Sequence, residues 1–273
     1  MKIAFYNLDR NAGIEALKQR LREKGANLAC FGEDFDSWRN LPADTELFLS
    51  LGGDGTFLHA LTFVRDRGIP VAGINFGRLG FLTTARADES GSWIDDLLAG
   101  RFLVEERSLL HVDCPGLPAD AYPFALNEVS LQRLGAGMIS IHIRIDGKAI
   151  PTYWADGLVI STPTGSTAYS LSVGGPIVMP DSDVLVIAPI APHNLNVRPL
   201  VVPLGSEIEM DFDARDGQAT LALDNRSCPV GAGAKIRLSR GGHGLRYVSL
   251  SDNSFIAALR SKLLWGEDRR NTL

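Results

Sequence analysis

Gly52-Gly53-Asp54-Gly55-Thr56 sets one carboxylate among three glycines. Glycines let a backbone approach a phosphate closely, and the N–H groups of a helix start favour negative charge. A carboxylate in such a bend repels a phosphate unless it has another task. One task fits: accepting the proton of, or positioning, a hydroxyl that attacks a terminal phosphate. Asp54 is also readable as a helix cap, since Asp is among the best capping residues. No Gly-Lys-Ser/Thr follows, so this is not a Walker loop, and the glycines lack the spacing of the Rossmann fingerprint. His59 lies nearly one and a half helical turns beyond Asp54, where it either faces the same loop or is a solvated helix histidine.

Further along, Asn127-Glu128 interrupts an apolar context, Phe124-Ala125-Leu126 before it and Val129-Ser130-Leu131 after it. Asn both donates to and accepts from an adenine edge or a ribose, and an ionised Glu accepts from two hydroxyls such as a ribose diol. The pair is equally readable as alternation across a half-exposed strand. Residues 156–176 (DGLVISTPTGSTAYSLSVGGP) are dense in hydroxyls and small side chains, with one aromatic ring. At a strand exit these groups supply hydrogen bonds, close backbone approach and a stacking face for a base, although a Ser/Thr-rich loop also reads as a solvated turn. Gly73-Ile74-Asn75-Phe76-Gly77-Arg78-Leu79-Gly80-Phe81-Leu82 is a second glycine-rich stretch, readable as a turn-rich passage out of a strand.

Other chemistries find less support. His111, His142, His193 and His243 show no metal-ligand spacing with one another or with a cysteine. Cys30, Cys114 and Cys228 are odd in number and form no Cys-x-x-Cys pair, which points to a reducing compartment, the cytoplasm. The 273 residues carry 32 acidic and 27 basic side chains, a formal charge of -5, and no Lys/Arg-rich run, so nucleic acid is not expected as a partner. The N-terminus reaches Asp9 and Arg10 after a short apolar stretch and reads as a strand rather than a signal peptide. The most apolar run, Val184–Ala188, is closed by Pro189, so no membrane segment is expected.

The elements that must position these groups follow from periodicity. Lys2–Asn7 reads as a strand, and Ile14, Leu17 and Leu21 describe a helix that Gly25 can end in a left-handed conformation. Leu47–Leu51 reads as a buried strand leading into the glycine bend, and Phe57, Leu58, Leu61 and Val64 return to helical spacing. Ile69–Ile74 is another strand, and Trp93, Ile94, Leu97 and Leu98 mark a helix. This alternation implies parallel strands with crossover helices, and places Asp54 at the strand ends where open α/β sheets bind ligands. Thereafter the texture is β: Ile139, Ile141, Ile143 and Ile145 alternate with polar residues up to an Asp146-Gly147 turn. Strands follow near 158–160, 208–212, 219–223, 236–238 and 247–250, and Phe255, Ile256, Leu259 and Leu263 form a last helix.

Taken together, the glycine–aspartate loop, Gly73–Leu82, Asn127-Glu128 and the long run 156–176 resemble the signature segments of bacterial NAD kinases. The loop alone is also similar to those of 6-phosphofructokinases and diacylglycerol-type lipid kinases. The resemblance implies an α/β, Rossmann-like N-terminal domain with a parallel sheet (1–92 with 251–273) and a β-rich, β-sandwich-like dinucleotide-binding domain (93–250). It implies transfer of the terminal phosphate of ATP, other nucleoside triphosphates or polyphosphate, to the 2′-hydroxyl of the adenosine ribose of NAD. Mg²⁺ would arrive on the nucleotide, as phosphoryl transfer generally demands. By the same resemblance Asp54 is catalytic, while Asn127 and Glu128 contact the dinucleotide; Gly55, by its place in the bend, and His59, by its spacing from Asp54, are candidate binding contacts beside it. Thr167, Ala168 and Tyr169 line the adenosine pocket, Ser170, Leu171 and Ser172 adjoin it, and Ala191 aligns loosely with a small residue of the same pocket. Asp156 reaches the nicotinamide end, and the assembly is a homodimer or homotetramer. Two positions depart from the family pattern: Trp154, where many relatives have a basic residue, and Arg226, where many have glutamine. The rival readings are a lipid or sugar kinase sharing only the loop, and a non-catalytic NAD(P)-binding regulator. The catalytic reading asks that Asp54 face a ligand rather than be consumed by packing or backbone contacts.

Overall fold

The stripe of Ile14, Leu17 and Leu21 closes one face of the helix Gly13–Glu23 onto Ile3 and Phe5 of the first strand, Lys2–Asn7. The helix stops where expected, at Gly25, whose φ of +86° few other residues tolerate. The computed structural model describes residues 1–7, 13–30, 38–77, 80–87, 92–250 and 255–264. Asp9, Arg10, Arg78, Leu79 and much of the expected 251–273 segment lie outside the described residues, as does the side chain of Cys30. Contacts divide the chain into two compact units, Met1–Glu106 with Leu245–Leu273, and Arg107–Gly244.

In the first unit, among the described residues, seven strands form one sheet in the order Asn27–Cys30, Lys2–Asn7, Leu47–Leu51, Val71–Asn75, Leu245–Ser249 and Leu103–Arg107, with Ala85–Arg86 pairing beside Val71–Asn75. The first four, together with Leu245–Ser249, run parallel. Leu47–Leu51 is buried along its whole length, which is why it reads as an unbroken apolar run instead of an alternating one. Ile3 and Phe5 join a core that includes Trp93, Ile94 and Leu97, while Tyr6 points the other way and meets Phe63 of the helix Asp54–Val64 at 4.8 Å between ring centres. Helices therefore cover both faces of the sheet.

The domain limits expected at 92/93 and 250/251 shift. Residues 93–106 stay with the first unit because the helix Ser92–Leu98 buries Trp93, Ile94 and Leu97 in its core. The strand near 247–250, grouped by sequence with the β-rich part, instead runs parallel to Val71–Asn75, with Tyr247 opposite Val71. Local periodicity identifies a strand, whereas the sheet that receives it is a tertiary choice.

The second unit stacks two antiparallel sheets. One has seven strands, ordered Lys148–Ala149, Ile139–Ile145, Ile208–Ala214, Ile236–Arg240, Leu110–Asp113 and Phe124–Ala125, with Tyr153–Ala155 beside Ile139–Ile145. The other has six, ordered Leu200–Pro203, Val184–Ile190, Gly157–Ser161, Glu128–Arg133, Gln218–Leu223 and Arg226–Gly231. The inward residues of both, such as Ile139, Ile141, Ile143 and Phe212 against Leu131, Leu158, Ile187 and Leu221, share one core. The expected sandwich is therefore present. Pro189 does not end its strand, which continues to Ile190. The neighbour Leu200–Pro203 pairs only with Val184–Ile187, so no ladder bond on that side is asked of the proline. No helix among the described residues is long and apolar enough to cross a membrane.

Phe212 is 1% exposed in the shared core. Phe212→Ala is expected to lower the unfolding free energy by about 3–5 kcal/mol. In the same urea titrations Lys148→Ala, at an exposed position, is expected to change it by less than about 0.5 kcal/mol.

Candidate functional site

The strand Leu47–Leu51 delivers the chain into the glycine bend, and Gly53, not Asp54, is the residue that starts the helix from outside, with no side-chain cap. Asp54 is already helical, so the capping alternative falls away. Its carboxylate turns to the second glycine-rich stretch, where Oδ2 accepts the Phe81 N–H at 2.8 Å and Oδ1 the Leu82 N–H at 3.0 Å. Gly80 is required by this contact, because a Cβ there would lie 1.7 Å from Asp54 Oδ1. Thus two segments that the sequence offered separately converge on one carboxylate. The backbone contacts fix its orientation without exhausting it, since an ionised carboxylate has about four acceptor sites and two are used among the described residues. A side chain built on Gly53 or Gly55 would meet nothing within 4 Å, so the backbone faces open space there.

In the second unit, Asn127 and Glu128 do not alternate along one strand. Phe124–Ala125 belongs to one sheet and Glu128–Arg133 to the other, and Asn127 sits at the crossing. The crossing is held by Asp224, a residue to which the sequence reading gave no role. Its fully buried carboxylate accepts the N–H groups of Leu126 at 2.9 Å, Asn127 at 2.8 Å and Glu128 at 3.3 Å, and the Asp224 N–H donates to the Glu128 carbonyl at 2.9 Å. Asp224 opens the two-residue turn between Leu223 and Arg226 with φ +53°, a conformation that Asp tolerates better than most side chains. Its one sequence signal was position within a hairpin turn; the acceptor role depends on segments about a hundred residues away.

The run that follows Gly157–Ser161 folds as a short 3₁₀ turn, Thr164–Thr167, and a single helical turn, Tyr169–Ser172, with Ala168 between them. It is packed on the Asn127 crossing: Thr162 N–H donates to the Asn127 carbonyl at 2.9 Å, and a Cβ on Gly165 would lie 2.1 Å from that oxygen. The Tyr169 amide acts on the Glu128 carboxyl, and the charges of Glu128 and Asp156 both bear on the Tyr169 phenol. Asn127 Oδ1, Glu128 Oε2, Thr164 Oγ1 and Ser170 Oγ are buried and have no hydrogen-bond partner among the described residues. The Glu128 carboxyl is pushed up to about 8, by burial first and by the Asp224 charge second, against the pull of the Tyr169 amide. This corrects the expectation of an ionised Glu: at neutral pH it carries a proton and donates as well as accepts. Asp224 is likewise raised by burial, opposed by its three amides and by Arg226.

The remaining expected residues divide. Asp156 is paired with Arg133 in a two-pronged contact, 2.7 Å from Nε and 3.3 Å from Nη2, and its N–H donates to the Ile190 carbonyl, which brings exposed Ala191 alongside. Leu171 and Ser172 complete the helical turn that begins at Tyr169. His59 does not act as a solvated helix histidine: its ring packs 5.2 Å from Tyr6 and 5.3 Å from Phe63. Arg226, which departs from the family pattern, packs against the segment that leads into the crossing. It donates to the carbonyls of Tyr122 and Phe124, lies over the Tyr122 ring at 5.6 Å, and approaches Asp224 at 3.8 Å. Trp154 is half exposed, with its backbone tied to His193 and Asn194.

Two measurements check these electrostatics. Between the ordinary 4.5 and about 8 the folded chain keeps a proton on Glu128 that the unfolded chain has released. This group's contribution therefore makes stability fall as pH rises through that window and level off above it. Glu128→Gln is expected to flatten that slope in urea midpoints taken from about pH 5 to about pH 9. Asp224→Asn, which turns an amide donor toward backbone donors, is expected to cost about 1–3 kcal/mol of stability in urea titrations at neutral pH.

Residues 33–102 match the profile of the ATP-NAD kinase N-terminal domain and residues 126–250 that of the ATP-NAD kinase C-terminal domain. The chain is 41% identical over 242 residues to the NAD kinase of Flavobacterium psychrophilum, covering 88% of this chain and 82% of that one. It is 40% identical over 273 residues to the NAD kinase of Porphyromonas gingivalis, covering 94% of each. Among solved structures it superposes on yeast NADH kinase complexed with NADH, with a TM-score of 0.84, 25% identity and coverage of 98% of this chain and 89% of that one. An NAD kinase from Archaeoglobus fulgidus in complex with ATP gives a TM-score of 0.80, 26% identity and coverage of 97% and 99%. With both domain profiles matched in order and such identity along nearly the whole chain, this protein belongs to the NAD kinase family of phosphotransferases.

Proposed function

We propose that the chain transfers the terminal phosphate of ATP to the 2′-hydroxyl of the adenosine ribose of NAD, giving NADP. The observation that carries this reading is the set of buried polar atoms without partners on Asn127, Glu128, Thr164 and Ser170. Each such atom costs about 1–3 kcal/mol while unsatisfied, and a bound nucleoside relieves that cost. Asn127 Oδ1 accepts from a hydroxyl or an exocyclic amino group, protonated Glu128 donates to a ribose or base acceptor, and Ser170 adjusts its hydroxyl to either. Thr167, Ala168 and Tyr169 form the wall of the adenosine pocket, with Leu171 and Ser172 behind it, and Tyr169 offers an apolar face to the base.

In the transfer, the 2′-oxygen bonds to the terminal phosphorus as the bond from that phosphorus to its bridging oxygen breaks. ADP leaves with the electron pair, and the hydroxyl proton passes to a free acceptor site of Asp54 and then to solvent. Because the transition state is loose, holding the hydroxyl in line matters more than early proton removal, and the two amides on Asp54 serve that end. A divalent ion arriving on the nucleotide, Mg²⁺, would supply charge neutralisation at the transferring phosphate. Family likeness supports a homodimer or homotetramer, and the free thiols Cys114 and Cys228 support a reducing, cytoplasmic setting.

The backbone engagement of Asp54 favours one other reading, a dinucleotide-binding regulator in which the carboxylate only ties two loops together. NADP formation, followed with NAD and in turn ATP, other triphosphates and polyphosphate, separates the two. Asp54→Asn is expected to lower turnover by about 10²–10⁴-fold while NAD affinity is kept. Near wild-type turnover in that variant would reduce Asp54 to a structural tie.

A further inference from the structure

Lys262, on the helix Phe255–Leu263, was not marked by any sequence pattern, and no step above uses it. Its Nζ is buried and has no hydrogen-bond partner among the described residues. It stands 4.3 Å from the centre of the Phe81 ring, whose own N–H is one of the two amides on Asp54. Phe81 thus links the two charges, its backbone on the carboxylate and its ring beneath the ammonium, and Phe255 of the same helix packs near that ring at 6.3 Å. The Lys262 and Asp54 charges act on one another, so they share one neighbourhood, yet both carboxylate contacts given above come from amides and none from the lysine. Burial draws the Lys262 amine below its ordinary value and the Asp54 charge draws it back up.

An ammonium has three donors, and an aromatic face satisfies its charge without accepting those hydrogens in directed bonds to oxygen. Burying them makes sense where an acceptor arrives with a ligand. The acceptor in question follows from the reading of Asp54 in the preceding subsection, on which this inference rests. If that carboxylate meets the attacking hydroxyl, the phosphoryl group under attack lies one bond further on, and its non-bridging oxygens are the nearest strong acceptors. A compact point charge suits that position, as lysines commonly serve transferring phosphates.

We propose that Lys262 is a binding residue for the phosphate donor: its ammonium donates to a non-bridging oxygen of the terminal phosphate and neutralises charge there as the group moves. No bond to the lysine forms or breaks, and its proton stays with it. Lys262→Met keeps an apolar stem on Phe81 and removes the charge, and Lys262→Arg keeps the charge. In titration calorimetry on the full chain, with ATP and Mg²⁺ and with inorganic tripolyphosphate as probes, Lys262→Met is expected to weaken binding by about 10- to 100-fold. NAD affinity is expected to stay within about twofold and Lys262→Arg to recover part of the loss. Lys262→Gln, followed in the same titrations, provides a second neutral variant should the methionine protein fail to fold. Wild-type affinity for both phosphate probes in a folded neutral variant would overturn the proposal, and so would an equal loss of NAD affinity, which would mark the lysine as a support of the loop. A wild-type chain that forms no NADP from NAD and ATP would instead sink the functional reading, and the tripolyphosphate titration would still decide the role of Lys262.

Discussion

Backbone amides are donors that cannot rotate away, and a carboxylate resting on two of them is held more firmly than one paired with a flexible side chain. Asp54 rests on the amides of Phe81 and Leu82, and several features of the first unit follow from that. Gly80 has to lack a side chain, the stretch after Val71–Asn75 has to fold back on the bend after Leu47–Leu51, and both bends have to leave parallel strands that are neighbours in the sheet. The sheet supplies the last condition, since Leu51 and Ile74 are directly paired at the carboxyl ends of their strands.

The second unit solves a related problem with the same device. A chain that changes sheets at Asn127 exposes consecutive N–H groups with no ladder partner, and Asp224 accepts three of them from a turn on another strand. One consequence is electrostatic. Burial is the main reason that the Glu128 carboxyl keeps its proton, and the charge of Asp224 adds to it, so the clamp that shapes the crossing also bears on whether Glu128 donates or only accepts. Arg226, lying between Asp224 and the carbonyls of Tyr122 and Phe124, closes the arrangement from outside.

Much of this was legible in the residues. The stripe of Ile14, Leu17 and Leu21, the unbroken apolar run Leu47–Leu51 and the alternating isoleucines from Ile139 to Ile145 each have one physical reading, and each folds accordingly. Asp54, Asn127 and Glu128 stood out because polar side chains interrupt glycines or apolar strands. What stayed hidden depends on long-range geometry. Nothing local assigns Leu245–Ser249 to the first sheet, joins Gly80 to Asp54, makes Asp224 the acceptor for residues a hundred positions earlier, or seats Lys262 over Phe81. The protonation of Glu128 was also out of reach, because burial and a neighbouring charge set it, and composition reports neither.

The first unit is assembled from both ends of the chain, with Arg107–Gly244 inserted between its parts. During synthesis the opening strands leave the ribosome long before Leu245–Ser249, so their sheet waits for a member that emerges only after the inserted residues. The inserted sandwich has its own core and need not wait. Once it has folded, it replaces a long floppy loop with a rigid spacer, and the entropy lost in joining Tyr247 to Val71 is set by the short connections that remain.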